Sequence, residues 1–121
     1  RAQAATDDPR IRQRLAQAWI DTEIVRLVAY RQVSEIMRTG HPGPEGSYLK
    51  LLWSEADMRM KDVAIDMEGP YAAVERGDRR AVDGGRWQYE YLWSRAASIY
   101  AGTSEVQRNI IAQRVLGLPR G

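Results

Sequence analysis

Residues 98–114 read SIYAGTSEVQRNIIAQR, and this pattern predicts a helix, a sharp break and a second helix. Gly102 provides the break, because glycine adopts left-handed backbone angles without the steric penalty of a Cβ atom. Ser104 and Gln107 have the S-x-x-Q spacing of a capping box, so the second helix is predicted to start at Ser104. Three residues give that helix an apolar stripe: Val106, Ile110 and Ile111.

The start of the second helix is the first candidate for a binding site. Its leading backbone N–H groups have no partner inside the helix, and the hydroxyls of Thr103 and Ser104 flank them. Such a helix end suits a phosphate, a carboxylate or the polar edge of a cofactor. An ordinary corner between two helices has the same pattern, so both interpretations stand at this point.

The composition favours one globular domain. The chain has 121 residues, of which 44% are hydrophobic, and this is enough to form a core. Its 18 basic and 16 acidic residues give a net charge of only +2 without a basic cluster, so we expect no nucleic-acid partner. No cysteine is present, and no apolar run approaches the roughly 18–20 residues of a membrane span. We expect a cytoplasmic protein without membrane contact, and the missing initiator methionine is typical of a fragment.

Apolar residues recur at helical spacing along four segments, and no alternating strand pattern is present. The predicted helices cover approximately residues 8–38, 46–68, 87–100 and 104–116. Asp7 or Asp8 can cap the first helix, with Pro9 at its first position. We therefore predict an all-α fold, an antiparallel four-helix bundle that forms one domain over residues 1–121.

Few residues suggest catalysis on their own. His41 is the only histidine and lies in a loop rich in glycine and proline, which favours a solvated residue over a ligand or base and excludes a di-iron bundle. No Ser/His/Asp set, phosphate-binding glycine loop or metal site is expected. Several large side chains are interpreted as core: Trp53, Met58, Met60, Met67 and Trp93. Several cations are interpreted as solvated faces, among them Lys50, Arg59 and Lys61, whereas Arg108 and Arg114 pair with acids or face a partner chain.

The segment YAGTSEVQRNIIA, residues 100–112, resembles the C-terminal signature Y-E-G-T-S-E-I-Q-R-x-x-I-A of the FAD-dependent acyl-CoA dehydrogenases. The match continues through residues 114–120, RVLGLPR, an ending that is common in that family. Residues 43–55 and 94–100 are similar in a looser way. The resemblance implies the C-terminal helical domain of that family, here without the N-terminal domains and the first bundle helix.

The resemblance also implies roles for two groups of residues near the break. Three residues would contact FAD: Thr103, Ser104 and Glu105. Three others would lie near the acyl thioester of the substrate: Tyr100, Ala101 and Gly102.

A second flavin contact of the family is a Gln-x-x-Gly-Gly motif, which binds the FAD of a neighbouring subunit. The corresponding residues here are Asp66, Gly69 and Pro70. Asp66 replaces the glutamine and Pro70 replaces the second glycine. Because a carboxylate repels a pyrophosphate, a weaker contact is expected there.

Ala101 stands where many members of the family have the glutamate that removes the α-proton of the acyl-CoA. Alanine cannot accept a proton, so the resemblance places the base on a bundle helix before Arg1, and no catalytic residue is expected in this chain. The implied parent reaction is the α,β-dehydrogenation of an acyl-CoA thioester, in which the β-hydride passes to FAD. We expect the isolated chain to be inactive.

Three functional hypotheses follow. In the first, the chain is part of such a dehydrogenase, with an acyl-CoA substrate, an electron-transfer flavoprotein as acceptor and a homo- or hetero-oligomer formed through the bundle. In the second, suggested by Ala101, it is a catalytically silent subunit of a heteromeric dehydrogenase. In the third, it is a helical interaction module without flavin, because the first two helices have wide apolar arcs.

Overall fold

The computed structural model describes residues 6–120, and every regular element within them is helical. The four α-helices are α1 (Pro9–Thr39), α2 (Gly46–Glu68), α3 (Arg86–Ser94) and α4 (Ser104–Ile110). Three 3₁₀ turns cover Gly69–Ala73, Val82–Gly85 and Arg95–Ser98, and a π-helical turn, Ile111–Val115, continues α4. The all-α prediction is confirmed. Residues 1–5 and 121 of the predicted domain lie outside the described residues.

A side-chain cap fixes the start of helix α1, and a left-handed glycine fixes its end. The Asp8 side chain accepts a hydrogen bond from the backbone N–H of Arg10 at 2.8 Å, and Pro9 occupies the first position, where no donor is needed. Gly40 ends the helix with φ +81° and donates its N–H to the Ile36 carbonyl at 2.8 Å.

Helices α1 and α2 run antiparallel. Arg14 forms an ion pair with Asp66, and Arg59 Nε lies 2.9 Å from Asp21 Oδ2. The start of α1 is therefore next to the end of α2, and pairing moves towards lower numbers on α2 as it moves towards higher numbers on α1.

Helix α2 lies at the centre of the described fold, because its acidic and basic side chains reach the later helices as well. Lys61 Nζ lies 2.8 Å from Glu90 Oε2 on α3, and Asp62 pairs with Arg95 just after α3. Arg108 Nη2 of α4 also lies 2.6 Å from Glu55 Oε1 of α2. Most of these pairs are partly exposed, so each contributes about 1 kcal/mol or less, and together they fix the register of the helices.

The buried core consists of small side chains: Ser54, Ala56 and Val63 of α2, Ser94 of α3 and Ala97 after it. The two serines bury their hydroxyls without losing hydrogen bonds, because each donates to its own helix. Ser54 Oγ donates to the Leu51 carbonyl at 3.2 Å, and Ser94 Oγ donates to the Tyr91 carbonyl at 2.7 Å. Small side chains at these positions let the helices approach closely.

Helix α1 has no buried residue, although large apolar side chains occur around its circumference. The exposed ones are Trp19, Ile20, Ile24, Leu27, Tyr30, Val33, Ile36 and Met37, and Trp19 keeps 67% of its surface accessible. Large apolar side chains in this number are normally covered by other elements, so α2 alone does not complete the environment of α1. Within residues 6–120, no helix combines the length and the hydropathy of a membrane-crossing segment.

The third helix differs from the predicted span of 87–100. Its α-helical part ends at Ser94, and the chain then tightens into the 3₁₀ turn Arg95–Ser98. The Ser98 hydroxyl donates to the Arg95 carbonyl at 2.8 Å, and the Ile99 N–H donates to the Ala96 carbonyl at 2.9 Å. These three-residue bonds replace the α-helical pattern and end the helix early.

A close backbone contact organises the connection between α2 and α3. Asp83, Gly84 and Gly85 all have positive φ, and Gly85 packs so closely on Arg76 that a Cβ atom would lie 2.8 Å from the Arg76 Cα. The Trp87 indole N–H donates to Asp83 Oδ2 at 2.8 Å and holds this turn against the start of α3.

Candidate functional site

The turn between the Arg95–Ser98 segment and α4 contains the residues that the sequence singled out. The Tyr100 N–H donates to the Ala96 carbonyl at 3.0 Å, after which Ala101 and Gly102 both have positive φ, +55° and +94°. Gly102 adopts the left-handed angle that its sequence position predicted. Ala101 shares that conformation although its Cβ makes it unfavourable, so the break is two residues wide.

The N-cap of α4 is Thr103 and not Ser104, so the predicted capping box is wrong. Thr103 has extended backbone angles, and its side-chain oxygen accepts from the Val106 N–H at 3.3 Å, while Ser104 is already the first helical residue. The side chain of Gln107 does not return to Ser104. Its amide Nε2 donates to the Ala101 carbonyl at 2.9 Å.

The polar side chains at the start of α4 differ in whether they form hydrogen bonds within the described residues. The pKa of the Glu105 carboxyl is lowered, because this group accepts from its own backbone N–H and from the Thr103 hydroxyl, with Arg108 and Lys50 adding favourable charge. Thr103 is thus committed to the cap, and Glu105 is held as an anion. The Ser104 hydroxyl has no hydrogen-bond partner among residues 6–120, which makes it the hydroxyl available to a ligand.

Two aromatic side chains border this turn. Tyr100 and Trp53 pack edge to face, with ring centroids 6.1 Å apart and planes at 77°. They remain 46% and 40% exposed, so the interpretation of Trp53 as core is wrong. Trp93 and Met60 are exposed as well. The sequence could not place Trp53 here, because it lies 47 positions before Tyr100 on a different helix.

The interpretation of the cations as solvated faces is wrong for Lys50 and Lys61. Lys50 Nζ is buried and has no hydrogen-bond partner within the described residues. Lys61 is only 12% exposed and pairs with Asp57 at 3.4 Å and with Glu90 at 2.8 Å. Of the two arginines left open, Arg108 pairs with an acid, Glu55, at 2.6 Å.

The second predicted contact segment lies at the other end of α2. About 16 residues separate Trp53 from Gly69, which corresponds to roughly 24 Å along the helix axis. Asp66 forms an ion pair with Arg14 of α1, and Gly69 closes α2 with φ +56° before the turn that contains Pro70. The Asp66 carboxylate is thus already balanced by a cation. This segment and the α4 turn do not form one site within this chain.

Sequence reasoning did not identify Glu68, which lies beside that segment. Its Oε2 accepts from Gln88 Nε2 at 2.7 Å, whereas its Oε1 is buried and has no hydrogen-bond partner among residues 6–120. Burial raises the pKa of this carboxyl, and the negative charge of Asp83 raises it further.

Comparison with known proteins gives a consistent result. The family model described as the acyl-CoA dehydrogenase C-terminal domain matches residues 1–116. The acyl-CoA dehydrogenase IpdE1 of Mycolicibacterium smegmatis is 41% identical over 117 residues, which is 96% of this chain and 27% of that protein. The IpdE1 of Mycobacterium tuberculosis is 40% identical over 121 residues, 99% of this chain and 30% of that protein. The chain therefore spans less than a third of these curated relatives.

Solved structures show the same fold at lower identity. The ChsE4-ChsE5 complex from Mycobacterium tuberculosis superposes with a TM-score of 0.84 at 24% identity, over 97% of this chain and 30% of the other. The Tcur3481-Tcur3483 steroid ACAD gives a TM-score of 0.88 at 19% identity, over 98% of this chain and 31% of the other. Because the family model matches residues 1–116, the chain belongs to the acyl-CoA dehydrogenase family, of which it forms the C-terminal helical domain.

Proposed function

We propose that this domain supplies one rim of the FAD site and an oligomerisation surface to a flavoprotein that catalyses α,β-dehydrogenation of an acyl-CoA thioester. The observation that supports the proposal most directly is the turn from Tyr100 to Glu105. Within the family signature, it presents a free Ser104 hydroxyl beside an exposed aromatic pair. The activity is that of the whole protein, since the chain spans less than a third of its relatives.

The residues at this turn fit an FAD contact. Ser104 offers a hydroxyl at the start of a helix that no other described residue binds, while Thr103 and Glu105 hold the cap in place around it. Bound FAD supplies the hydride acceptor for the β-carbon of the thioester. The protein's contribution at this rim is to position polar atoms, and the exposed Tyr100–Trp53 pair offers an apolar surface beside them.

The catalytic base comes from outside this chain in the proposed enzyme. Ala101 has no group that accepts a proton, and its small exposed side chain leaves space in front of the turn. A carboxylate from the preceding bundle helix would reach that space and take the α-proton. We propose an electron-transfer flavoprotein as the electron acceptor and the cytoplasm as the location.

A second candidate function is a silent subunit of a heteromeric dehydrogenase. Ala101 favours this candidate. Asp66 and Pro70 favour it too, because they replace the glutamine and the second glycine of the motif that resembles the family's contact to a neighbouring FAD. Two of the structures with this fold are described by the names of two proteins each, as in the ChsE4-ChsE5 complex. The exposed apolar surface of α1 gives either candidate an oligomerisation face.

The test uses the full-length protein, produced alone and together with candidate partner proteins of the same family. Bound FAD is measured from the visible flavin spectrum, and dehydrogenation is measured with ferricenium as acceptor on a panel of thioesters from butyryl-CoA to a steroid side-chain CoA. We expect bound FAD and turnover of at least one thioester. Flavin bound only in the presence of a partner that carries the glutamate would support the silent subunit instead.

The Ser104→Ala variant tests the rim itself. Loss of one hydrogen bond predicts an affinity for FAD that is about three- to tenfold weaker. Ser34→Ala is the matched control, because the Ser34 hydroxyl bonds within α1, to the Tyr30 carbonyl at 3.0 Å. Equal FAD affinity in Ser104→Ala and wild type would remove Ser104 from the site. If no combination of proteins binds flavin or turns over a thioester, the remaining hypothesis is a helical interaction module that has no flavin.

A further inference from the structure

The side chain of Gln107 makes an unusual return to the turn that precedes its own helix. Gln107 is 7% exposed, and its Nε2 donates to the carbonyl of Ala101 at 2.9 Å. Its backbone N–H donates to the Thr103 carbonyl, also at 2.9 Å. One buried residue therefore binds the chain on both sides of Gly102.

The backbone that Gln107 holds is strained. Ala101 lies at φ +55°, a left-handed region that is unfavourable for a residue with a Cβ atom. Such a conformation persists only where the surroundings determine it. The hydrogen bond from Gln107 is the one side-chain bond to the Ala101 carbonyl among residues 6–120, so it provides that constraint.

The packing of the turn also depends on the position of the Gln107 amide. A Cβ atom on Gly102 would lie 2.5 Å from Gln107 Nε2, so glycine at this position makes room for the amide. Tyr100 and Ala101 lie exposed on the outer side of the same turn. Any shift of the Gln107 amide is thus transmitted to the residues that face the thioester in the proposed enzyme.

We infer that Gln107 is a positioning residue, which fixes the two left-handed residues Ala101 and Gly102 so that the acyl thioester and the flavin rim keep a reactive arrangement. This inference rests on the proposed function. Gln107 touches neither substrate nor cofactor and acts through the Ala101 carbonyl. Because an error of about 1 Å in placing reacting groups can slow a reaction about 100-fold, its loss should affect turnover more than binding.

The first experiment compares Gln107→Met with wild type in the full-length holoenzyme. Methionine preserves the length of the side chain and removes the donor. We expect hydrogen exchange to become faster in residues 100–105 and kcat to fall about 10- to 100-fold, with KM for the best thioester changed less than threefold. Gln13→Met is the control, because Gln13 is exposed on α1 and makes no hydrogen bond through its side chain within the described residues.

The second experiment uses Gln107→Glu as a conditional rescue. An ionised carboxylate cannot donate to the Ala101 carbonyl, but a protonated one can. The kcat of Gln107→Glu relative to wild type should therefore rise as the pH falls, while the ratio for Gln107→Met stays constant. If the side chain of Gln107 only filled space, the ratio of variant kcat to wild-type kcat would not change with pH for either variant.

The outcomes separate this inference from the function on which it rests. Unchanged exchange in residues 100–105 together with unchanged kcat in Gln107→Met overturns the role of Gln107. If the wild-type protein shows neither FAD nor turnover, the proposed function fails, while the exchange data still report whether Gln107 holds the turn. The positioning role is also overturned if Gln107→Met and Gln107→Glu lose kcat equally at every pH and their melting temperatures fall by the same amount.

Discussion

Glu68 and Gln88 share a single hydrogen bond, Gln88 Nε2 to Glu68 Oε2 at 2.7 Å, and each side chain keeps one buried oxygen atom that has no partner in the described part of the chain. Burial of this kind penalises the charged carboxylate and raises its pKa above the ordinary value of 4.5. The folded state therefore holds the Glu68 proton more strongly than the unfolded state. The stability that this proton provides is complete below the unfolded pKa and is lost as the pH rises through the folded pKa.

Glu68→Gln should consequently stabilise the end of α2 at pH 7.5 by about 1–2 kcal/mol, since no charge is then buried. The gain should shrink towards zero as the pH falls to about 4, where the wild-type carboxyl is protonated too. Local opening free energies from hydrogen exchange in the full-length protein measure this. Glu75→Gln, at an exposed position of the following loop, is the control and should show no such trend. A Glu68→Gln variant that is less stable at pH 7.5 would contradict the prediction.

Asp21 should show the opposite pH dependence. Burial by itself raises its pKa, but hydrogen bonds from Gln17 and Arg59 outweigh that effect and lower it. The stability gained is present above the ordinary pKa of 3.8 and is lost as the pH falls through the lowered value. Because Arg59 is half exposed, we expect Asp21→Asn to weaken the α1–α2 contact by only about 0.5–1 kcal/mol at pH 7.

The control for Asp21 is Glu35→Gln, because the Glu35–Arg38 pair lies exposed within α1. Hydrogen exchange in residues 14–25 and 59–66 measures both variants at pH 7 and at pH 3.5. Equal effects of the two substitutions at pH 7 would show that the contact across the helices adds nothing.

Ala101 is a position at which glycine should be better tolerated than alanine. Its φ of +55° costs an alanine about 1 kcal/mol, which glycine avoids, and the greater freedom of glycine in the unfolded chain offsets part of that gain. Ala101→Gly should therefore change the stability of the turn by between zero and about +1 kcal/mol. Ala18→Gly, inside α1, should lose about 1 kcal/mol. Thermal unfolding of both variants compares the signs, and equal losses would rule out strain at Ala101.

Gly85 and Gly84 offer a matched test of close packing. Both have positive φ, but a Cβ on Gly85 would lie 2.8 Å from the Arg76 Cα, whereas a Cβ on Gly84 would meet no atom of residues 6–120 within 4 Å. We expect Gly84→Ala to cost about 1 kcal/mol from its backbone angle alone and Gly85→Ala to cost clearly more. Proteolysis rates in the 74–85 connection would measure this, and equal rates in the two variants would refute the contact.

The isolated 121-residue chain should associate in solution. Helix α1 buries none of its residues, and its exposed side chains include Trp19, Leu27 and Met37. Large apolar side chains exposed in this number normally lie at an interface. Light scattering across a dilution series should show species larger than a monomer, and Leu27→Lys should reduce them. A stable monomer with cooperative unfolding would contradict this expectation.

The sequence predicted the helices well where local chemistry decides them. Asp8 and Pro9 start α1, and Gly69-Pro70 stops α2, because capping and the missing proline N–H act within a few residues. It failed where distant residues decide. Lys50 and Lys61 are covered by parts of the chain that no local pattern reveals. At α4 the competition is local: Thr103 caps the helix, and Gln107 bonds to Ala101 and not to Ser104. The roles of Thr103, Ser104, Glu105, Asp66, Gly69 and Pro70 towards FAD stay predictions.

The central position of α2 restricts how this domain can vary in length. Side chains of this one helix pair with α1, with α3, with the segment after α3 and with α4. One inserted residue would turn everything beyond it by about 100° and move it by about 1.5 Å, so the pairs on either side of the insertion could no longer form together. We therefore expect insertions and deletions to be tolerated better in a connection such as residues 40–45 than inside α2.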